Sequence, residues 1–347
     1  MDTVKKKSGF GTFIKNHVMY IVLIVLLLFF ATQNKTFLTF TNLKNILNQN
    51  SYVLVVGVGV GLVMLAGGLD LSVGYQISLN GVIIGMLLTR TNLPWGITVV
   101  IALVIGCALS LVNGILFVRM KVFPFIITLA TQYVYQGLSF ILSNSVTITG
   151  LPNGFKQIGQ GSIGPIPIPI IIMVVIVSLG AFILNRTYFG HFYVQGLGCN
   201  PEAVSLAGID TDRAYLIIYG LAGVFIGLGT VMLGARTGSI SSSMGPGTEF
   251  TIIAGAMLGG VRLGGGGGKM SNIVVGILIL AVLSNGMQLM QLGNYPQFLA
   301  KGIVLIVAIG VDAHQSMSVL RRAEHVVGEP PDKRATADRS SDKLPKA

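Results

Sequence analysis

Charged residues are scarce in this sequence, and the side chains that most often carry chemistry are scarcer. Asp, Glu, Lys and Arg make up 10% of the 347 residues, against about 25% in average proteins. The two cysteines, Cys107 and Cys199, are too few for a disulfide framework. The four histidines lack metal-ligand spacing, and no Ser/His/Asp or Cys/His set can be assembled. The sequence therefore indicates neither a metal site nor a catalytic site.

Apolar sequence is abundant instead. Hydrophobic residues make up 52% of the chain, and its mean hydropathy is +0.78. This composition predicts an all-α polytopic membrane protein with about ten transmembrane helices of roughly 20 residues each. The predicted spans are 18–31, two within 52–89, 95–118, 123–142, 165–184, 214–233, 248–261, 272–289 and 297–311. The first span after residue 52 and the span 248–261 are short, and we expect tilted helices or half-helices there.

Three segments follow from this division. Residues 1–17 are predicted to be a cytoplasmic N-terminal segment, 18–312 a transmembrane domain, and 313–347 a cytoplasmic, disordered tail. Lys and Arg set the orientation, because they gather on the cytoplasmic side of membranes. With the N-terminus inside, the outside loops hold only Lys35, Lys44, Arg90, Lys156 and Arg236. Both termini and the loop 187–213 are then cytoplasmic.

Glycines recur four residues apart inside the apolar runs, which is a spacing that lets helix backbones approach closely in lipid. The pairs are Gly57/Gly61, Gly223/Gly227 and Gly255/Gly259. We expect each pair to lie in a helix–helix contact.

A predicted helix break carries the most informative charge. Gly67 and Gly68 end one helix, and Asp70 and Ser72 precede the next. Asp70 is interpreted either as a cap that accepts N–H groups of the following helix or as part of a transport path. Glu249 has the same two interpretations, as a helix N-terminal carboxylate or as a group at the external mouth. Asn285 either joins helices or lines the path.

The loop 187–213 contains a predicted short helix. Asn200 is its cap, Pro201 and Glu202 suit its first turn, and Gly208 ends it. Ala203 and Ala207 are four residues apart and share one face, while Gly198 precedes the cap. A helix of about two turns is unstable alone, so we expect a partner protein to bind it.

The run 264–269 (GGGGGK) superficially resembles a phosphate-binding loop. Leu263 stands where that loop requires its first glycine, and Met270 replaces the required Ser or Thr. We therefore expect a flexible cytoplasmic turn and no nucleotide site in this chain.

Three motifs carry a family resemblance: 65–74 (LAGGLDLSVG), 123–131 (FPFIITLAT) and 199–203 (CNPEA). They resemble motifs of the permease subunits of bacterial ribose-, xylose- and galactose-type ABC importers, over residues 42–312. The resemblance implies a fold like the vitamin B12 importer permease in the inner membrane. It also implies a second permease, an extracytoplasmic sugar-binding protein and a cytoplasmic ATPase that docks on a coupling helix in loop 187–213. ATP hydrolysis would be the partner's, so no cofactor is implied for this chain.

Several positions depart from the family pattern. Cys199 replaces a glycine, His191 an arginine, Tyr75 a serine and Thr251 an aspartate. These departures favour a heterodimeric over a homodimeric permease.

An ion-coupled secondary transporter or a facilitator of a small polar solute remains the alternative. Such carriers usually hold several intramembrane carboxylates or histidines, whereas only Asp70 and Glu249 qualify here. The sequence does not identify the sugar or polyol.

Overall fold

A computed structural model of the protein describes residues 10–293, 295–307 and 309–310. The predicted tail 313–347 lies outside these residues, as do residues 1–9 of the predicted N-terminal segment. The described residues are mostly helical, with one two-stranded antiparallel hairpin that pairs Ser162–Ile163 with Ile166–Pro167.

The helices before the hairpin are α1 Phe10–Gln33, α2 Phe40–Leu65, α3 Val73–Arg90, α4 Trp95–Met120, α5 Pro124–Ser143 and α6 Asn153–Gln160. Those after it are α7 Ile168–Arg186, α8 Gly196–Cys199, α9 Pro201–Leu206, α10 Thr211–Thr237, α11 Thr248–Leu258, α12 Met270–Leu289 and α13 Tyr295–Val307. A π-helical segment, Phe189–Gln195, joins α7 to α8.

Within the described residues, 6 helices are long and apolar enough to cross a membrane, namely α2, α4, α5, α7, α10 and α12. The apolar part of α1 (Met19–Gln33), α11 and α13 are shorter. Helix α3 is long enough but carries Gln76 and Asn80, which make it less apolar. The protein is therefore an all-α, multi-pass membrane protein.

The two spans predicted to be short have different outcomes. Helix α2 begins at Phe40 rather than near residue 52, and its 26 residues exceed the length needed to cross the hydrocarbon core. The prediction was wrong because the polar residues 42–50 hid the first part of the helix. Helix α11 has 11 residues, about 16 Å at 1.5 Å per residue, roughly half of the core thickness. It is a half-helix.

Helices α10 and α2 form the centre of the fold, and α10 packs mainly against α4 and α2. Each glycine pair lies in a contact between helices, as predicted. A Cβ atom on Gly223 would overlap the carbonyl oxygen of Gly106 in α4, and one on Gly227 would overlap that of Ala102. The other pairs, Gly57/Gly61 and Gly255/Gly259, lie against α12.

Candidate functional site

The break between α2 and α3 starts with a glycine cap. Gly67 has φ +84°, the left-handed conformation that favours glycine. Its N–H donates to the carbonyl of Met64 at 3.0 Å, and the N–H of Gly68 donates to that of Val63 at 2.9 Å. These paired bonds close a helix end. The chain then passes through residues 68–72 before α3 begins.

Asp70 lies in this break and is 1% exposed. Its carboxylate accepts the Ser72 N–H at 2.9 Å and the Ser72 hydroxyl at 2.6 Å. The side-chain amide of Gln76, one turn into α3, donates to the other oxygen at 2.8 Å. The cap interpretation expects a bond at the start of α3, and this bond is to Ser72, the residue just before that helix. The carboxylate thus fixes the start of α3 to the break.

A second helix also holds the carboxylate. Asn113 of α4 donates to the two Asp70 oxygens at 3.3 and 3.2 Å and to the Ser72 hydroxyl at 2.8 Å. The hydroxyl of Tyr135 in α5 donates to the carbonyl of Leu109 at 2.8 Å and lies 3.4 Å from the Asn113 side-chain oxygen. Among the described residues, no Lys, Arg or His lies within 4.0 Å of Asp70. Hydrogen bonds from neutral groups therefore hold this carboxylate.

Glu249 lies in the first turn of α11 and is 3% exposed. Its carboxylate oxygens accept the Gly247 N–H at 3.0 and 3.1 Å. Gly74 in the first turn of α3 lies so close that a Cβ atom there would overlap one of these oxygens. Glu249 is thus bonded as a helix N-terminal carboxylate, and its place at an external mouth stays a prediction. Glu249 and Asp70 both contact the start of α3.

Asn285 lies away from this break. It exchanges two amide hydrogen bonds with Asn42, at 2.9 and 3.2 Å, and so joins α12 to the start of α2. The break follows the other end of α2, and the 23 steps along the helix from Asn42 to Leu65 span about 35 Å at 1.5 Å per residue. Of the two interpretations, the helix-joining one describes the contacts that Asn285 makes.

The short helix in loop 187–213 is α9. The side chain of Asn200 accepts the Ala203 N–H at 3.1 Å, which is the predicted cap. Gly208 has φ +85°, and its N–H donates to the carbonyl of Ser205 at 2.9 Å. Pro201 and Glu202 occupy the first turn as predicted. Local sequence therefore fixes both ends of this helix.

Helix α9 buries one side chain and exposes its others. Val204 is buried against the protein, whereas Ala203 and Ala207 are exposed. Leu206 is 90% exposed, an unusual position for a leucine. The outward surface of α9 therefore combines the apolar side chains of Ala203 and Leu206 with the polar ones of Glu202 and Ser205.

The glycine-rich run does not lie free of other segments. The N–H of Gly266 donates to the carbonyl of Leu65, the last residue of α2, at 3.2 Å. The thiol of Cys199 at the end of α8 donates to the carbonyl of Gly266 at 3.3 Å. The prediction of a simple flexible turn missed these contacts, because nothing in the sequence pairs three distant segments.

Sequence reasoning also gave no role to Lys301. It lines a cavity of about 260 Å³ between α11, α12 and α13, together with Gly247, Phe250, Thr251, Ala254, Leu280, Phe298, Gly302 and Leu305. No carboxylate of the described residues lies within 4.0 Å of its ammonium group.

The family model described as "branched-chain amino acid transport system / permease component" matches residues 42–309. The galactose/methyl galactoside import permease of Escherichia coli is 32% identical over 332 residues, which cover 90% of this chain and 98% of that protein. The ribose import permease of Bacillus subtilis is 32% identical over 323 residues, with 91% and 98% covered. The ribose import permease of Haemophilus influenzae is 31% identical over 306 residues, with 87% and 94% covered.

No solved structure matches this chain. The family match and the relatives nevertheless agree, since each covers most of the apolar domain. Permease components carry solute across membranes and are not themselves enzymes. The chain belongs to this family of transport-system permease components.

Proposed function

We propose that the chain is the permease subunit of an ABC importer for a monosaccharide or a similar small polyol. The observation that carries this proposal is the combination of sugar import permeases among its relatives with α9, a capped helix that exposes Ala203 and Leu206. A self-sufficient carrier has no need of such a surface. An importer driven by a separate ATPase does.

The full assembly would contain a second permease, a cytoplasmic ATPase and an extracytoplasmic sugar-binding protein. We infer that α9 is the coupling helix that the ATPase grips, with Ala203, Leu206 and Ala207 in the contact. The departures at Tyr75, His191, Cys199 and Thr251 favour a different chain, rather than a second copy, as the other permease.

The membrane arrangement follows from the same proposal. We infer that α1, α3, α11 and α13 also lie in the membrane, and with the six long helices they would make the ten transmembrane elements of a vitamin B12 importer-type permease. The transmembrane domain is then 18–312, in the bacterial inner membrane. Both termini and loop 187–213 face the cytoplasm, and the charged tail 313–347 is disordered.

The bonding of the two buried carboxylates supports an importer over an ion-coupled carrier. Ion coupling needs an intramembrane carboxylate that gains and loses a proton or cation during transport. Asp70 instead accepts bonds from Ser72, Gln76 and Asn113, and Glu249 accepts the N–H of Gly247, the residue before its own helix. Both carboxylates thus have structural partners, and Gly67, Gly68, Asp70 and Ser72 shape the break beside the path.

Uptake measurements in a deletion strain of the native host test the proposal. The panel would contain labelled galactose, ribose and xylose, with leucine, isoleucine and valine beside them, because the family model carries a branched-chain amino acid description. We expect uptake of one sugar to be lost and to return with the plasmid-borne gene. Loss of amino acid uptake with all sugars unaffected would overturn the sugar assignment.

A further inference from the structure

Three segments that are distant in sequence meet at four glycines, which we call the glycine junction: Gly67, Gly198, Gly265 and Gly266. Gly67 follows α2, Gly198 lies in α8 just before α9, and Gly265 and Gly266 belong to the loop between α11 and α12. The junction therefore joins the helix break, the loop that carries α9 and the glycine-rich run.

The backbones touch at this junction. A Cβ atom on Gly265 would lie 2.5 Å from the nitrogen of Gly67 and 2.9 Å from the Cα of Gly198. A Cβ atom on Gly266 would lie 2.6 Å from the carbonyl oxygen of Gly198, and one on Gly198 would overlap that of Leu65. Real Cβ atoms do not approach so closely. Only glycine allows these three segments to pack against one another.

Hydrogen bonds fasten the contact. Gly266 donates to the carbonyl of Leu65 at 3.2 Å, and the Cys199 thiol donates to the carbonyl of Gly266 at 3.3 Å. From α10, the hydroxyl of Tyr215 donates to the carbonyl of Ala66 at 3.3 Å. A continuous chain of contacts thus runs from α9 through Cys199 and the glycine-rich run to the end of α2. Asp70 lies five residues beyond Leu65 in the break.

We propose that the glycine junction transmits movement of the coupling helix to the helix break that holds Asp70. Its glycines are positioning residues: they do not line the transport path, but they set the position of the helix break beside it. Direct backbone packing suits this role, because close-packed contacts transmit displacement. The inference rests on the proposed function, since it takes α9 to be the element that the ATPase moves.

The same loop supplies glycines that make no such contact. Gly260 has φ +80°, nearly the φ of +82° at Gly265, but nothing lies within 4 Å of a Cβ atom built on it. Gly267 is equally uncrowded, whereas the carbonyl oxygen of Gly264 lies 3.1 Å from a Cβ atom built on Gly67. If the glycines served only to make the loop flexible, crowded and uncrowded positions would be equivalent. The contacts single out Gly265.

The test compares Gly265→Ala with Gly260→Ala in the complete importer, with both permeases, ATPase and binding protein in liposomes. Both substitutions strain a left-handed residue, but only Gly265→Ala also forces the junction apart. ATP hydrolysis and uptake of labelled galactose and ribose are measured together. For Gly265→Ala we expect the ATPase to remain bound and uptake per ATP hydrolysed to fall about tenfold, within the usual range for coupling between sites. Gly260→Ala should match the wild type.

If the Gly265→Ala protein does not accumulate in the membrane, a second pair of variants makes the same comparison. Gly198 lies in α8 without a left-handed φ, so Gly198→Ala adds only a clash, and Gly267→Ala is its uncrowded control. The junction's role would be overturned if the crowded and the uncrowded variant of a pair showed equal uptake per ATP hydrolysed. It would also be overturned if the crowded variant lost ATPase binding to the same extent as it lost uptake. If the wild type and the controls show no ATP-driven sugar uptake, the proposed function itself has failed.

Discussion

Asn113 donates its side-chain amide to both carboxylate oxygens of Asp70, at 3.3 and 3.2 Å, across 43 positions of sequence. The contact fastens α4 to the break between α2 and α3. Together with Ser72 and Gln76 it supplies the partners that a buried carboxylate requires. A substitution of Asp70 that removes its oxygen acceptors should therefore affect the protein more than one that keeps an oxygen acceptor.

We expect Asp70→Asn to be better tolerated than Asp70→Leu. The asparagine keeps one oxygen to accept the Ser72 N–H, whereas leucine leaves buried donors unpaired at a cost of about 1–3 kcal/mol each. Thermal unfolding in detergent, measured beside uptake, should show stability and transport falling together in Asp70→Leu. A fully stable Asp70→Asn variant that transports nothing would instead indicate that Asp70 lines the path.

Close packing between α4 and α10 gives a prediction about stability. Gly223→Ala should destabilise the protein by about 1–3 kcal/mol, because the added methyl group has no space against Gly106. The control is Gly137→Ala in α5, where nothing lies within 4 Å of the added carbon. Thermal unfolding of the two variants decides the matter, and equal midpoints would contradict the packing account.

The exposed surface of α9 gives a prediction about assembly. Ala203→Arg and Ala207→Glu should leave the protein abundant in the membrane, because both positions are exposed. A charge on this surface should abolish co-purification of the ATPase and uptake, since it would be buried in the contact without a partner. Asn92→Arg, in the exposed loop before α4, is the control. If the ATPase co-purified with both variants at wild-type levels, α9 would not be the site where the ATPase docks.

The proposed orientation puts the exposed thiol of Cys199 in the cytoplasm. In a Cys107→Ser background, a membrane-impermeant maleimide should label inside-out vesicles and leave intact cells unlabelled. Labelling of Cys199 in intact cells would reverse the topology, because both termini and α9 would then lie outside.

Local chemistry explains what the sequence predicted well. The Asn200 cap and the Gly208 stop depend on residues within one or two turns, and the pair Gly223/Gly227 depends on a fixed spacing along one helix. Those features follow from the pattern alone. Even so, polar residues such as Asn42 hid the first part of α2, since they join helices rather than end one.

Contacts between distant segments could not be predicted in this way. Asp70 gave no indication that Asn113 would be its partner, and the glycine-rich run gave none that Gly266 would bind Leu65. These pairs depend on how the helices pack, and a single sequence does not specify which helices are neighbours. Glu249 was open to two interpretations for the same reason, because burial against Gly74 is a tertiary effect.

The proposed function requires that an ATPase drive sugar through this permease. The most direct measurement is uptake of labelled galactose and ribose by liposomes that contain both permeases and the ATPase, with binding protein outside and nucleotide inside. We predict uptake with ATP and none with a non-hydrolysable analogue, whatever ion gradient is imposed. Uptake that follows a proton or sodium gradient without ATP hydrolysis would exclude an ATP-driven importer and favour the ion-coupled carrier.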